Sequence, residues 1–90
     1  MLLRIQAQLV GVEAETRIRD IQATVRRIRG RERDGGVDEI VLVIARTRAN
    51  RAVVGQLLEA LGPRFTTSGR AIRHALASGT PLPGSGILLI

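Results

Sequence analysis

The 90-residue chain has no cysteine, tryptophan, tyrosine or lysine, and Phe65 is its one aromatic residue. Without cysteine there is neither a disulfide framework nor a thiolate metal site, which fits a reducing compartment. Without aromatic bulk, the core has to come from Val, Ile, Leu and Ala. A chain of this length buries only roughly 60–65% of the surface its unfolded form exposes, so that core is small. Long apolar runs are missing too. Ile40–Ala45 and Ile87–Ile90 fall far short of the ~20 residues that span a bilayer, and Met1-Leu2-Leu3 meets charge at Arg4, too early for a secretory signal. The expectation is one cytoplasmic domain over residues 1–90 with no membrane partner.

Arginine stands in lysine's place. It supplies all 14 basic residues against 8 acidic ones, for a formal charge of +6. Its planar fork binds phosphate and carboxylate in bidentate fashion, which suits nucleic acid. A GC-rich coding sequence would also yield high Arg, Ala, Gly and Val whatever the function. The placement of the arginines therefore decides more than their number.

Val10, Val12 and Ala14 alternate with Gly11, Glu13 and Glu15, and this period of two predicts a strand over residues 8–15. Upstream, Leu3, Ile5, Ala7 and Leu9 are apolar in the opposite phase, implying a bulge or break at Leu9–Val10. Residues 1–7 stay unassigned. Thr16 can cap a helix that follows directly. Ile18, Ile21, Val25 and Ile28 share one face of it, Asp20 falls in its first turn, and Gly35-Gly36 ends it near residue 33. Ile40–Ala45 has the character of a central strand buried on both faces, typical of a parallel sheet. A second helix starts near Thr47 or Asn50, carries Val54, Leu57, Leu58 and Leu61, and stops at Gly62-Pro63. Ser68 caps a short third helix with Ile72, Ala75 and Leu76, ended by Gly79. Pro81–Gly86 makes a turn and Ile87–Ile90 a final strand. The order strand, helix, strand, helix, helix, strand predicts an α/β fold: a small, mostly parallel sheet flanked by helices.

On the first helix, at 100° per residue, Arg19, Arg26 and Arg33 fall within about 40° of one another. Gln22 and Arg29 lie between that line and the apolar stripe. Steps of seven residues space the arginines roughly 10 Å apart. Such a row could follow a phosphate backbone, each contact releasing counterions. A solvated face whose stems cover the core's edge is the plainer alternative. No aromatic residues interleave the arginines, which argues against stacking on single strands. Arg19, Arg26, Arg29 and Arg33 are thus candidates for phosphate contacts.

Glu13 and Glu15, two apart on one strand, project from the same face about 7 Å apart. Carboxylates at the exit end of a strand can hold a divalent ion if another oxygen ligand is near. Glu13 and Glu15 are therefore candidate metal ligands and catalytic residues, with magnesium the implied ion if the chain is catalytic. From spacing alone, a solvent-facing strand edge, or pairing with Arg17 and Arg19, is the plainer explanation. No complete catalytic set is present. His74, lacking a second ligand at i±3 or i±4, is expected to be an exposed helix residue. Ser68-Gly69 and Gly84-Ser85-Gly86 lack the setting of a nucleophile elbow or phosphate loop and are assigned as a cap and a turn. Thr47, Asn50 and Arg51 lie at the mouth of the central strand, where α/β sheets usually bind ligands, although Thr47 and Asn50 also fit helix capping. No small-molecule ligand is identifiable from these residues.

Several stretches carry a resemblance. They are Val12-Glu13-Ala14-Glu15-Thr16-Arg17, then Asp20, then Arg31-Glu32-Arg33-Asp34-Gly35-Gly36, the run from Val41 to Arg51, and Pro83-Gly84-Ser85-Gly86-Ile87. Together they resemble the C-terminal half, beyond the DNA-reading helices, of actinobacterial helix-turn-helix transcriptional regulators of the lambda-repressor-like class. That half is similar to the restriction-endonuclease-like core, in which an acidic residue on one strand is followed by an E-x-K pair on the next. The resemblance implies that Glu13 takes the first place of that pair. Glu15 stands where lysine is expected, and a carboxylate cannot supply lysine's charge to a developing phosphorane. The preceding acidic residue and the DNA-reading helices would lie upstream of Met1. The chain is accordingly expected to be a fragment of a longer regulator or a domain working alone. Its expected role is a non-catalytic regulatory or interaction module that touches DNA through the arginine-rich helix. The alternatives are a metal-dependent nuclease using Glu13 and Glu15, and a homodimer formed at a sheet edge through the apolar segment Leu2, Leu3 and Ile5 and the short C-terminal strand.

Overall fold

Each helix begins where a short polar side chain satisfies an otherwise unpaired backbone N–H. In the computed structural model, which describes residues 1–90, the Asp20 carboxylate accepts from the Ala23 N–H at 3.1 Å and opens α1 (Ile21–Asp34). The Thr47 hydroxyl does the same for the Asn50 N–H at the start of α2 (Arg48–Leu61), and Ser68 for the Ala71 N–H at the start of α3 (Gly69–Ser78). Gly79 adopts φ 67° and closes α3 with a left-handed cap. The second and third helices lie where the sequence predicts them. The first starts late. Thr16 is not its cap, because the Thr16 carbonyl and the Ile18 N–H are both held by the side chain of Asn50. Residues 17–20 are thereby kept out of the helix, and Asp20 precedes the first turn instead of lying in it.

Five strands form one sheet: β1 (Leu2–Ile5), β2 (Gln8–Glu15), β3 (Glu39–Ile44), β4 (Phe65–Thr67) and β5 (Ser85–Leu89). Their spatial order is β1-β2-β3-β5-β4. β1 runs antiparallel to β2, while the other neighbouring pairs are parallel. The sheet is therefore mixed, not the mostly parallel one expected, and the chain order gains two strands. The phase slip in the first nine residues marks a hairpin and not a bulge in one strand. Its turn is at Gln6-Ala7, with Gln6 at φ 55°, and Leu9 lies inside β2. β4 is three residues long, too short to carry a periodicity. The final strand starts at Ser85, so Ser85 and Gly86 belong to the sheet and not to a turn.

β3 is central and buried on both faces, as its unbroken apolar run predicts. Ile40, Leu42 and Ile44 pack with α1 and α2 in the larger cluster, together with Ile28, Leu57 and Phe65. Val41 faces the opposite side with Ile72 and Ala75 of α3 and with Leu82 and Leu88. The one aromatic ring is thus used in the layer beneath two helices. No helix is long and apolar enough to cross a membrane.

At Gly86 the backbone of β5 approaches its neighbours closely. A Cβ there would overlap the Thr67 carbonyl oxygen and lie 2.9 Å from the Ile72 Cδ1. Gly86→Ala should destabilise the fold by about 3 kcal/mol. Gly55→Ala, on the exposed side of α2 with nothing within 4 Å, should stabilise it by about 0.5–1 kcal/mol. Urea unfolding of the two variants checks both signs.

Candidate functional site

The parallel register sets Glu13 beside Leu42 and Glu15 beside Ile44. Since Leu42 and Ile44 belong to the cluster under α1 and α2, both carboxylates project to that face. α1 crosses above them. Arg27 meets Glu15 at 2.5 Å, and Arg31, one turn later, meets Glu13 at 3.3 Å. Arg31 also donates to the Met1 carbonyl at 3.2 Å. The second pair is the better shielded, with side chains 26% and 19% exposed. The two candidate metal ligands are therefore each engaged by an arginine, and the arginines are Arg27 and Arg31, not Arg17 and Arg19. No three Asp, Glu or His residues lie close enough to hold a metal ion together. A signal for this pairing was present in the sequence. Two residues of strand cover about 6.6 Å and four of helix about 6 Å, so Glu-x-Glu matches Arg-x-x-x-Arg.

The arginine strip is shorter than the sequence predicts. Arg19 lies in the connection before Asp20, off the helix, which leaves Arg26, Arg29 and Arg33 on the exposed face of α1. Arg29 donates to the Ala60 carbonyl at 2.9 Å, at the end of α2. Arg33 sits 3.4 Å from its neighbour Asp34, both side chains 74% exposed, and an ion pair so open to water contributes little. Arg26 has no carboxylate partner. Beyond α2, Arg64 contacts Glu32 at 3.5 Å and donates to the Asp38 carbonyl. Arg29, Arg33 and Arg64 border a shallow depression floored by Leu61, Gly62 and Pro63.

At the mouth of β3 the three residues marked by the sequence have separate fates. Thr47 is a cap and Arg51 is exposed. Asn50 is wholly buried. Its Oδ1 accepts from the Ile18 N–H at 2.9 Å, and its Nδ2 donates to the carbonyls of Thr16 at 2.9 Å and Ala45 at 2.8 Å. Both amide protons are used. His74 is exposed on α3. Ser85, whose residue type and neighbours predict a turn, is fully buried. It accepts from the Ile40 N–H at 2.9 Å and donates to Glu39 Oε2 at 2.7 Å, joining β3 and β5. Leu2, Leu3 and Ile5 all lie on β1, the edge strand. Ile5 is buried, Leu3 half-buried and Leu2 exposed.

Comparison with protein families, with curated proteins and with solved structures found no match to the chain.

Asn50→Asp keeps the shape but removes both amide donors and places charge in the interior. It should cost about 3 kcal/mol, measured by urea unfolding at neutral pH. A double-mutant cycle on Glu13 and Arg31 should give a coupling of about 0.5–1 kcal/mol that shrinks as salt is added.

Proposed function

We propose that this chain is a non-catalytic regulatory or interaction module that contacts nucleic-acid phosphates, those of DNA above all, through the outer face of α1. One observation carries the reading. The arginines of α1 divide into two sets: Arg27 and Arg31 turn toward the sheet and engage Glu15 and Glu13, while Arg26, Arg29 and Arg33 face solvent. Glu13 and Glu15 are thus covered by the helix's own inner arginines, and its outer face keeps three arginines against Asp34. Arg26 and Arg33 are seven residues apart, roughly 10 Å along the axis, with Arg29 between them. Guanidinium groups so spaced meet successive negative charges on a backbone and displace condensed counterions.

The link to transcriptional regulators rests on the sequence resemblance. A magnesium-dependent nuclease centred on Glu13 and Glu15 gains no support from the geometry. Those carboxylates would have to give up Arg31 and Arg27 before they could take a cation, and the lysine position of the nuclease-like pattern holds Glu15.

Binding to unrelated DNA duplexes, followed by fluorescence anisotropy across a salt series, tests the proposal. Log K should fall with log salt at about −0.9 per phosphate neutralised. Replacing Arg26, Arg29 and Arg33 together with Gln should flatten that slope by about 2 to 3. The proposal fails if there is no binding at low salt, or if the triple variant keeps the slope of the parent.

A further inference from the structure

β5 lies between β3 and β4, and the chain leaves those two neighbours toward opposite faces of the sheet. β3 leads into α2, on the side of the larger cluster, and β4 leads into α3, on the other. In parallel sheets a crevice opens at the carboxyl ends of the strands where such connections diverge, and ligands bind there. Here the crevice is about 500 Å³ in volume, within the range of small-molecule sites. Val54 and Leu58 of α2 and Ile87 and Leu89 of β5 give it apolar walls, and Arg46, Arg70 and Arg73 bring charge to it.

The side-chain charges lining this crevice are of one sign. No Asp or Glu lines it, and none of its three arginines takes part in an ion pair, in contrast to Arg27, Arg31, Arg33 and Arg64. Arg46 and Arg73 both donate through Nη2 to a single acceptor, the Leu89 carbonyl, at 3.3 and 2.5 Å. Two like charges are thus drawn to one oxygen, no farther apart than those two bonds allow. Each guanidinium has five N–H donors and spends one on this carbonyl, so the contact fixes their position and leaves most of their donors free. An oxyanion between them relieves the repulsion and takes up those donors with forked geometry.

We propose that the crevice binds a small amphipathic anion, an aliphatic or aryl body ending in a carboxylate or phosphate group. The oxyanion sits at Arg46 and Arg73 with Arg70 beside them, and the apolar body lies against Val54, Leu58 and Ile87. This site is separate from the arginine face of α1 and shares no residue with it.

Octanoate, octyl phosphate, octanol and inorganic phosphate, each titrated into the ¹⁵N-labelled protein, test the assignment by amide shifts. Octanoate or octyl phosphate should give saturable shifts at residues 67–70 and 87–89, and whichever binds tighter identifies the preferred head group. Octanol lacks the charge and inorganic phosphate lacks the apolar body, so each should bind at least tenfold more weakly. Arg46→Gln with Arg73→Gln should weaken octanoate or octyl phosphate binding at least tenfold while leaving the salt slope for DNA unchanged. Should that double variant fold poorly, Val54→Trp fills the crevice, keeps both guanidinium groups, and should abolish the shifts. The proposal is overturned if neither amphiphilic anion binds, if octanol binds equally well, or if both sets of variants bind like the parent. Loss of DNA binding in the α1 triple variant with the amide shifts retained separates the two proposals.

Discussion

The amide of Asn50 joins the two connections that leave β2 and β3. It is fully buried, accepts from Ile18, and donates to Thr16 and Ala45. These bonds satisfy polar backbone groups that would otherwise be stranded in an apolar interior, and the protein has no buried side-chain nitrogen or oxygen without a partner. They also set where α1 can start. With the Thr16 carbonyl and the Ile18 N–H held outside the helix, α1 begins only after Asp20. The rotation and height of α1 over the sheet follow from that starting point. So does the placement of Arg27 above Glu15 and Arg31 above Glu13. A residue on α2 thereby governs which arginines of α1 face the sheet and which face water.

This dependence explains which features were legible in the sequence. Local signals are legible where no distant residue competes for the same backbone groups, as Asn50 does at Thr16. The β-branched run of β3, the Thr47 and Ser68 caps, and the glycines after α2 and α3 each act within a few residues of themselves. The common face of Glu13 and Glu15 was also legible, because strand parity requires it. The spacing of Arg27 and Arg31 matches theirs, but which arginines come to lie above them depends on the register of α1 and hence on Asn50, some thirty residues farther along the chain. β4 was missed because three residues between a Gly-Pro stop and a helix cap show no period. Gly86 and Ser85 look like turn residues by type. Their place in a strand follows from the close passage of Thr67 and Ile72 and from the buried bonds of Ser85 to Ile40 and Glu39.

The basic side chains are all arginine, and the protein manages their charge by placement. Near the sheet it is neutralised by Glu13 and Glu15. On the outer face of α1 it is left to solvent. In the crevice above β5 it is concentrated among apolar walls with no Asp or Glu beside it. The crevice was beyond sequence reasoning for a topological reason: chain order does not reveal that the final strand inserts between β3 and β4.

That insertion has a consequence for how the molecule is made. Gln8 exchanges hydrogen bonds with the backbone of Leu82, 74 positions away, at 2.9 and 2.8 Å, and β4 has no strand neighbour except β5. A nascent chain that has reached Thr80 therefore holds its helices over half a sheet, with Ile72 and Val41 still awaiting Leu88. Contacts of such long sequence separation form slowly. This domain cannot close until Ser85–Leu89 has emerged, and until then its apolar faces are open to chaperones.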